Sequence, residues 1–402
     1  MRKALILSTV SGFLCKFESE NVRLLQELGY DVHYAANMDE QQYRFDSSAL
    51  DKMGVTTHHI SIARSPLMLK MNRNAYKQTK ELVAREKIQL IHCHTPVGGF
   101  VGRLLGFKFG KKVKVAYTAH GFHFYKGAPA HRKAAFYLAE RIMARCTDAL
   151  ITINEEDYKA SRKFKLRKGG KGYLLSGVGV DFEKFVPASL EENVKNRAKE
   201  GIEADIFHLA TVGEINENKN HRVVLEAIQL MKQGDPKLGE KIRYTISGDG
   251  FYTERIANEI KTMGLEDVVK LKSYSMDVRN SLSTVDAFVF PSIREGLGMA
   301  AIEALTMGIP VIASDNRGTR EFMRHKQNGF VCKENVPKEY IKGIEYIRNL
   351  GSKELNEIKK ICRESVVNFC KCNTRKVMSA VYQDMAKERV EIRKSLCACK
   401  EG

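Results

Sequence analysis

Short apolar runs alternate along this chain with amphipathic stretches of helical period, and the alternation runs twice. Strand, helix, strand is the signature of a parallel, doubly wound sheet, because a parallel pair needs a crossover connection. In the first pass strands are expected at residues 3–8, 30–36, 59–62, 89–94, 112–118, 149–153 and 172–175. Helices are expected at 18–28, 74–86, 98–105, 134–145 and 155–162. Residues 181–204 are charged and poor in β-branched side chains, and read as a linker. The second pass has strands at 207–212, 243–247, 268–274, 287–290 and 311–314, and helices at 221–231, 253–263 and 299–307. Further helices follow from residue 338. The domains are therefore read as 1–180, a linker at 181–204, a second domain at 205–372, and a C-terminal helix at 373–402 that packs back on the first domain. With 402 residues and an apolar fraction of 43%, the chain can fill two cores. Neither half carries a strong GxGxxG fingerprint, which argues against a dinucleotide dehydrogenase.

The stretch 290–303, FPSIREGLGMAAIE, holds the densest chemistry. An apolar strand runs up to Phe290, and Pro291 and Ser292 stop it. Gly296, Leu297 and Gly298 then turn the chain into a helix ended by Gly308. A helix start points free N–H groups and partial positive charge at an anion such as a phosphate. Glu295 stands at the mouth of the turn and Glu303 lies eight residues on. Two carboxylates suit the hydroxyls of a polyol. Phosphate plus polyol suggests a sugar nucleotide; the plain alternative is a packed strand–helix turn.

Other loops fall at expected strand ends, where open parallel sheets bind ligands. Gly213 and Lys219 follow the strand at 207–212, and Lys219 can meet a diphosphate as a point charge. Gly248 and Asp249 follow the strand at 243–247, in a loop whose residues taken alone read better as a ligand-free turn. Tyr274 and Ser275 end the next strand. In the first half, Gly12 lies in the turn Ser11-Gly12-Phe13. His120 follows the strand at 112–118 and is placed for a polar contact with a sugar, against the alternative of a buried histidine satisfied by backbone. His92 and His94 alternate on a strand and mimic a metal pair, but no third ligand is evident, so a structural reading is preferred. The nine cysteines include no CxxC pair.

The net charge of +18 is uneven: residues 1–180 hold 30 Lys and Arg against 15 Asp and Glu. This half should meet an anionic partner. With no Trp and no RNA-recognition motif, nucleic acid is not expected. No stretch is long and apolar enough to span a membrane, and the first apolar run reads as a strand rather than a secretion signal.

The segments IHCHTPVGG, AYTAHGFH, LITINEED, VGEINENKN and FPSIREGLGMAAIEAL resemble the GT-B glycosyltransferases of family four, especially those of bacterial exopolysaccharide and capsule synthesis. The resemblance covers most of the chain. It implies an α/β fold of two Rossmann-like domains facing a central cleft, with C-terminal helices. It implies a retaining hexosyltransferase with no cofactor, and metal independence is expected because no paired-Asp metal motif is found. The donor would be a UDP-sugar and the acceptor a lipid-diphosphate-linked glycan. The enzyme would be cytoplasmic and peripheral at the inner face of the plasma membrane, touching its anionic surface. His120 and Glu295 would contact the transferred sugar. Gly12, Gly213, Lys219, Gly248, Asp249, Arg294, Gly296, Leu297, Gly298 and Glu303 would bind the donor, with Glu303 gripping the ribose. Glu214 stands where the family usually has Arg, and Arg294 is a candidate to compensate. Alternatives are a GT-B epimerase, an α-glucan synthase, or a non-catalytic basic membrane-associated protein.

Overall fold

The computed structural model describes residues 1–40, 47–125, 127–275 and 277–386. It divides into two compact units. The first, residues 1–179 with the chain from 372 onward, is built on seven parallel strands. These are β1 (Arg2–Leu7), β2 (Tyr30–Ala36), β3 (Thr56–His59), β4 (Leu90–His94), β5 (Lys114–Ala119), β6 (Ala149–Thr152) and β7 (Lys171–Leu174). Their order is β3-β2-β1-β4-β5-β6-β7. The order reverses at β1 and β4, so the loops after these strands open the crevice where such sheets bind ligands. Leu5, Leu7, Ile91, Val115 and Leu150 fill its core.

The second unit, residues 180–371, has six parallel strands. These are β8 (Phe207–Val212), β9 (Ile242–Ser247), β10 (Val269–Lys272), β11 (Ala287–Phe290), β12 (Val311–Ser314) and β13 (Gly329–Cys332). The order is β10-β9-β8-β11-β12-β13, which reverses at β8 and β11. Strand β11 is Ala-Phe-Val-Phe and wholly buried, as a central parallel strand must be.

The α/β architecture expected from the alternation is present, and three local readings change. The stretch read as a linker contains a helix, Leu190–Glu200. Ser189 and Glu192 form a reciprocal capping box at its start, and Gly201 ends it in the left-handed region at φ 69°. Its Arg197 is buried and donates to the Glu203, Ile206 and Thr284 carbonyls. Strand β3 ends at His59, where a strand over 59–62 was expected. Ile60 and Ile62 are buried beyond it; Ile60 N still donates to the Ala36 carbonyl of β2, and the pairing stops there. The unexpected strand β13 is four residues long and begins at Gly329. A Cβ there would lie 2.0 Å from the Val311 carbonyl oxygen. The glycine permits this close strand approach. Of the C-terminal helix expected at 373–402, residues 387–402 lie outside the described residues; the described part is the helix Lys371–Ala386.

Candidate functional site

In the second unit the residues gather at the carboxyl ends of β8 and β11. Asn216 caps a short 3-10 turn, Glu217–Lys219, by accepting from the Lys219 N–H at 3.1 Å. That turn is stitched to the chain after β11. Ile293 N donates to the Asn218 carbonyl at 2.8 Å, and Asn218 Nδ2 donates to the Arg294 carbonyl at 2.8 Å. Across this seam Lys219 Nζ meets Glu295 Oε1 at 2.6 Å. Both side chains are less than one-fifth exposed, and the ammonium stands 5.0 Å from the centre of the Phe290 ring. A charge-assisted bond this short, against an aromatic face, fixes both groups.

The turn after Glu295 needs its glycine. Gly298 is left-handed at φ 109°, and a Cβ there would lie 2.9 Å from the Phe290 ring. The helix Met299–Thr306 starts from it. Leu297 is 3% exposed, so its side chain anchors the turn in the core and leaves only its backbone for a ligand. Gly296, by contrast, is half-buried, as is Glu303 on the helix. Gly213 lies against the lysine, with a built Cβ 3.4 Å from Lys219 Cε. Gly248 and Asp249 have structural work in this fold. Gly248 lets its loop approach Gly213, and Asp249 Oδ2 accepts from the Tyr274 N–H at 3.0 Å.

Arg317 escaped the sequence reading. It follows β12, is 8% exposed, and its Nε donates to the Glu295 carbonyl at 3.3 Å. Its position beyond the carboxyl end of a parallel strand was the available signal. Arg294, singled out to offset Glu214, is exposed.

In the first unit β4 and β5 run side by side with His94 paired in register to Thr118. His120 follows β5, and its Nε2 lies 3.2 Å from His94 Nδ1. On the other side His94 Nε2 stands 3.4 Å from Glu18 Oε2. Glu18 ends a π-helical turn, Leu14–Glu18, which opens with Lys16 N donating to the Gly12 carbonyl. Gly12 is itself buried and shapes this turn. Burial holds the histidines neutral, pulling His120 down to about 4 and His92 to about 3, and His94 well down. Burial also pushes the Glu18 carboxyl up to about 8.

Glu18 is the third potential ligand beside His92 and His94 that the sequence did not reveal; one atom of each lies within 4.8 Å of the others. The hydrogen bonding does not favour an ion. His92 Nδ1 bonds the Tyr382 hydroxyl and its Nε2 the Thr118 hydroxyl, both at 2.8 Å, so neither nitrogen is open. Both ring nitrogens of His92 are thus engaged within the fold.

Residues 192–364 match the family described as glycosyl transferases group 1, and residues 19–168 match the glycosyl transferase 4-like domain. The chain is 33% identical over 389 residues to the putative glycosyltransferase EpsD of Bacillus subtilis, covering 95% of this chain and 96% of that protein. It is 29% identical to the UDP-Gal:alpha-D-GlcNAc-diphosphoundecaprenol alpha-1,3-galactosyltransferase of Escherichia coli, over 72% and 73% of the two chains. Among solved structures, Anabaena HepE in complex with UDP and glucose superposes with a TM-score of 0.73 at 16% identity, covering 96% of this chain and all of that one. With both halves matched and one relative similar from end to end, the chain belongs to the family-four glycosyltransferases of GT-B fold.

Proposed function

We propose that this protein is a retaining, metal-independent hexosyltransferase of cell-surface polysaccharide synthesis. It moves a sugar from a UDP-sugar to a lipid-diphosphate-linked glycan. The observation that carries the reading is the Lys219–Glu295 pair, held beyond two adjacent parallel strands with a helix start behind it. The pair supplies a cation for a diphosphate and a carboxylate for sugar hydroxyls. The relatives' printed activities supply the substrate class.

In this reading the acceptor hydroxyl attacks the anomeric carbon on the face from which UDP leaves. The bond from that carbon to the β-phosphate oxygen breaks, and UDP takes the electron pair. The acceptor's proton passes to the departing phosphate oxygen. Such a path needs a stabilised diphosphate more than a protein nucleophile. Lys219 and the amides at Gly296 and Gly298 provide it, and Arg317 fills the place of the cation missing at Glu214. Glu303 holds the ribose. Thermal shifts with a panel of nucleotide sugars should single out UDP-sugars. Calorimetric titration of Glu303→Ala should show UDP affinity reduced roughly tenfold, the size of one lost charged hydrogen bond of about 1.5 kcal/mol. Unchanged affinity in a folded variant counts against the ribose assignment.

The basic first half fits work at the inner face of the plasma membrane, in the cytoplasm. Lys111, Lys112, Lys163, Lys165 and Lys168 are exposed, and no helix among the described residues is long and apolar enough to cross a membrane. Each basic residue near an anionic surface contributes roughly 1 kcal/mol within a Debye length. Neutralising these five lysines together should abolish salt-sensitive pelleting with anionic vesicles. Equal pelleting with neutral and anionic vesicles would refute docking and leave the transferase reading intact.

A further inference from the structure

We propose that Glu18 and His94 are positioning residues for His120, and that the proton on Glu18 decides whether His120 offers a donor or an acceptor at Nδ1. The sugar-contacting role of His120 rests on the transferase reading; the hydrogen-bond chain does not. His94 is fully buried between its two neighbours, 3.2 Å from His120 Nε2 and 3.4 Å from Glu18 Oε2. Its Nε2 is buried without a hydrogen-bond partner, and the nearby Glu18 carboxyl is the group a small side-chain adjustment would join to it.

A neutral imidazole carries one N–H, so the chain has two polarities. With Glu18 protonated, its O–H donates to His94 Nε2. His94 Nδ1–H then donates to His120 Nε2, and the His120 proton resides on Nδ1. With Glu18 ionised, the carboxylate accepts from His94 Nε2–H. His94 Nδ1 accepts from His120 Nε2–H, and His120 Nδ1 presents a lone pair. No net charge need sit on either imidazole, as their burial requires.

The surroundings keep the chain isolated. The Phe13 ring covers His94 and His120 at centroid distances of 5.1 and 5.4 Å. His92 lies against His94, but its own two nitrogens are occupied. Asn21 Nδ2 donates to Glu18 Oε2 at 2.6 Å, which either protonation state accepts. Among the described residues Tyr34 of β2 and Tyr382 of the C-terminal helix also face Glu18, and Cys15 from its own turn faces Tyr34. Burial raises both tyrosines, so they stay neutral. Glu20 and Arg375 share with Glu18 and His120 the wall of a cavity of about 10 Å³, room for about one water. Arg375 is paired to Glu20 and Glu27 there. Burial pushes the Glu18 carboxyl up to about 8, so the switch falls where enzymes work.

The full chain carrying ¹⁵N-histidine decides the matter by nuclear magnetic resonance between pH 6 and 9.5. His120 should change from the Nδ1–H to the Nε2–H tautomer with a midpoint near 8. Glu18→Gln and His94→Phe should each abolish the change. A second readout follows from linkage. The folded chain holds the Glu18 proton above the carboxyl's unfolded range, so this group's stabilisation is full at acid pH and is lost as pH rises through about 8. Glu18→Gln should remove that slope. In the transferase, turnover should change with the same midpoint and become flat in Glu18→Gln. A single His120 tautomer across the range in the wild type, or a switch that survives in Glu18→Gln, overturns the proposal. Should neither variant fold, the wild-type titration alone decides it. A wild-type chain that turns over no nucleotide sugar would defeat the transferase reading and leave the tautomer measurement to judge this one.

Discussion

Glu295→Ala should lower turnover at least a hundredfold while UDP binds as tightly as before, or tighter; Lys219→Ala should lose both. The contrast comes from the 2.6 Å pair. In the free protein Lys219 is engaged by Glu295, so a diphosphate must compete with the carboxylate for the ammonium. Removing the carboxylate frees the cation and leaves it less than one-fifth exposed beside the Phe290 ring, with reason to take up a phosphate. In the proposed transferase reading the sugar then loses its acceptor of hydroxyl hydrogen bonds, a transition-state contact worth roughly 3 kcal/mol, or about a hundredfold in rate. Removing Lys219 strips the diphosphate of its point charge and strands Glu295 beside it as a repelling anion. His120→Ala, in the other unit, should cost turnover and spare UDP. Steady-state kinetics and calorimetric titration of the three variants check the assignment. Normal turnover in both Glu295→Ala and His120→Ala would remove these residues from the site. Equal loss of UDP affinity in Glu295→Ala and Lys219→Ala would mean that the pair acts structurally.

How far this was legible in the sequence depends on the range of the interactions involved. Local signals carried well. The apolar run to Phe290, its stop at Pro291 and the turn at Gly298 announced β11 and the helix after it, and both stand there. Lys219 and Glu295 were each visible as strand-end residues. Their contact was not, because it joins loops after two different strands. Glu18 was invisible as a partner of His94 for the same reason, since it comes from a turn before β2. Arg317 sat in a loop after a strand with no glycine-rich pattern to draw attention. The helix Leu190–Glu200 is a different kind of miss. Its Ser-x-x-Glu capping box was readable, and the high charge of the stretch outweighed it. Charge there marks an exposed face, while Arg197 reaches inward to backbone carbonyls.

Gly248→Ala should be among the most destabilising single-methyl additions available in the second unit, although the family resemblance gives its loop a donor-binding role. At φ +150° the residue lies in a region that side chains rarely adopt, and a built Cβ would lie 1.8 Å from the Gly213 carbonyl oxygen. An ordinary contact is about 3.5 Å, so one loop must move by more than an ångström. Neither is free to do so. Gly248 N donates to the Lys272 carbonyl, and Gly213 N donates to the Ser247 carbonyl. The clash is backbone against methyl, with no side chain to rotate away. A cost of roughly 4 kcal/mol or more is expected, the range reserved for broken packing and strained backbone. Gly201→Ala is the control. It is also left-handed, at φ 69°, but nothing lies within 4 Å of its built Cβ, so it should lose only about 1–2 kcal/mol. The difference between the two measures the clash with Gly213 together with the rarer backbone region at φ +150°. Because Gly213 in turn bears on Lys219, any folded Gly248→Ala protein should also bind UDP more weakly. Denaturant unfolding of the two variants, with UDP titration of the folded fraction, checks both parts. A Gly248→Ala protein as stable as Gly201→Ala would show that the loop yields. The glycine would then have to be explained by the approach of a ligand, in place of the approach of Gly213.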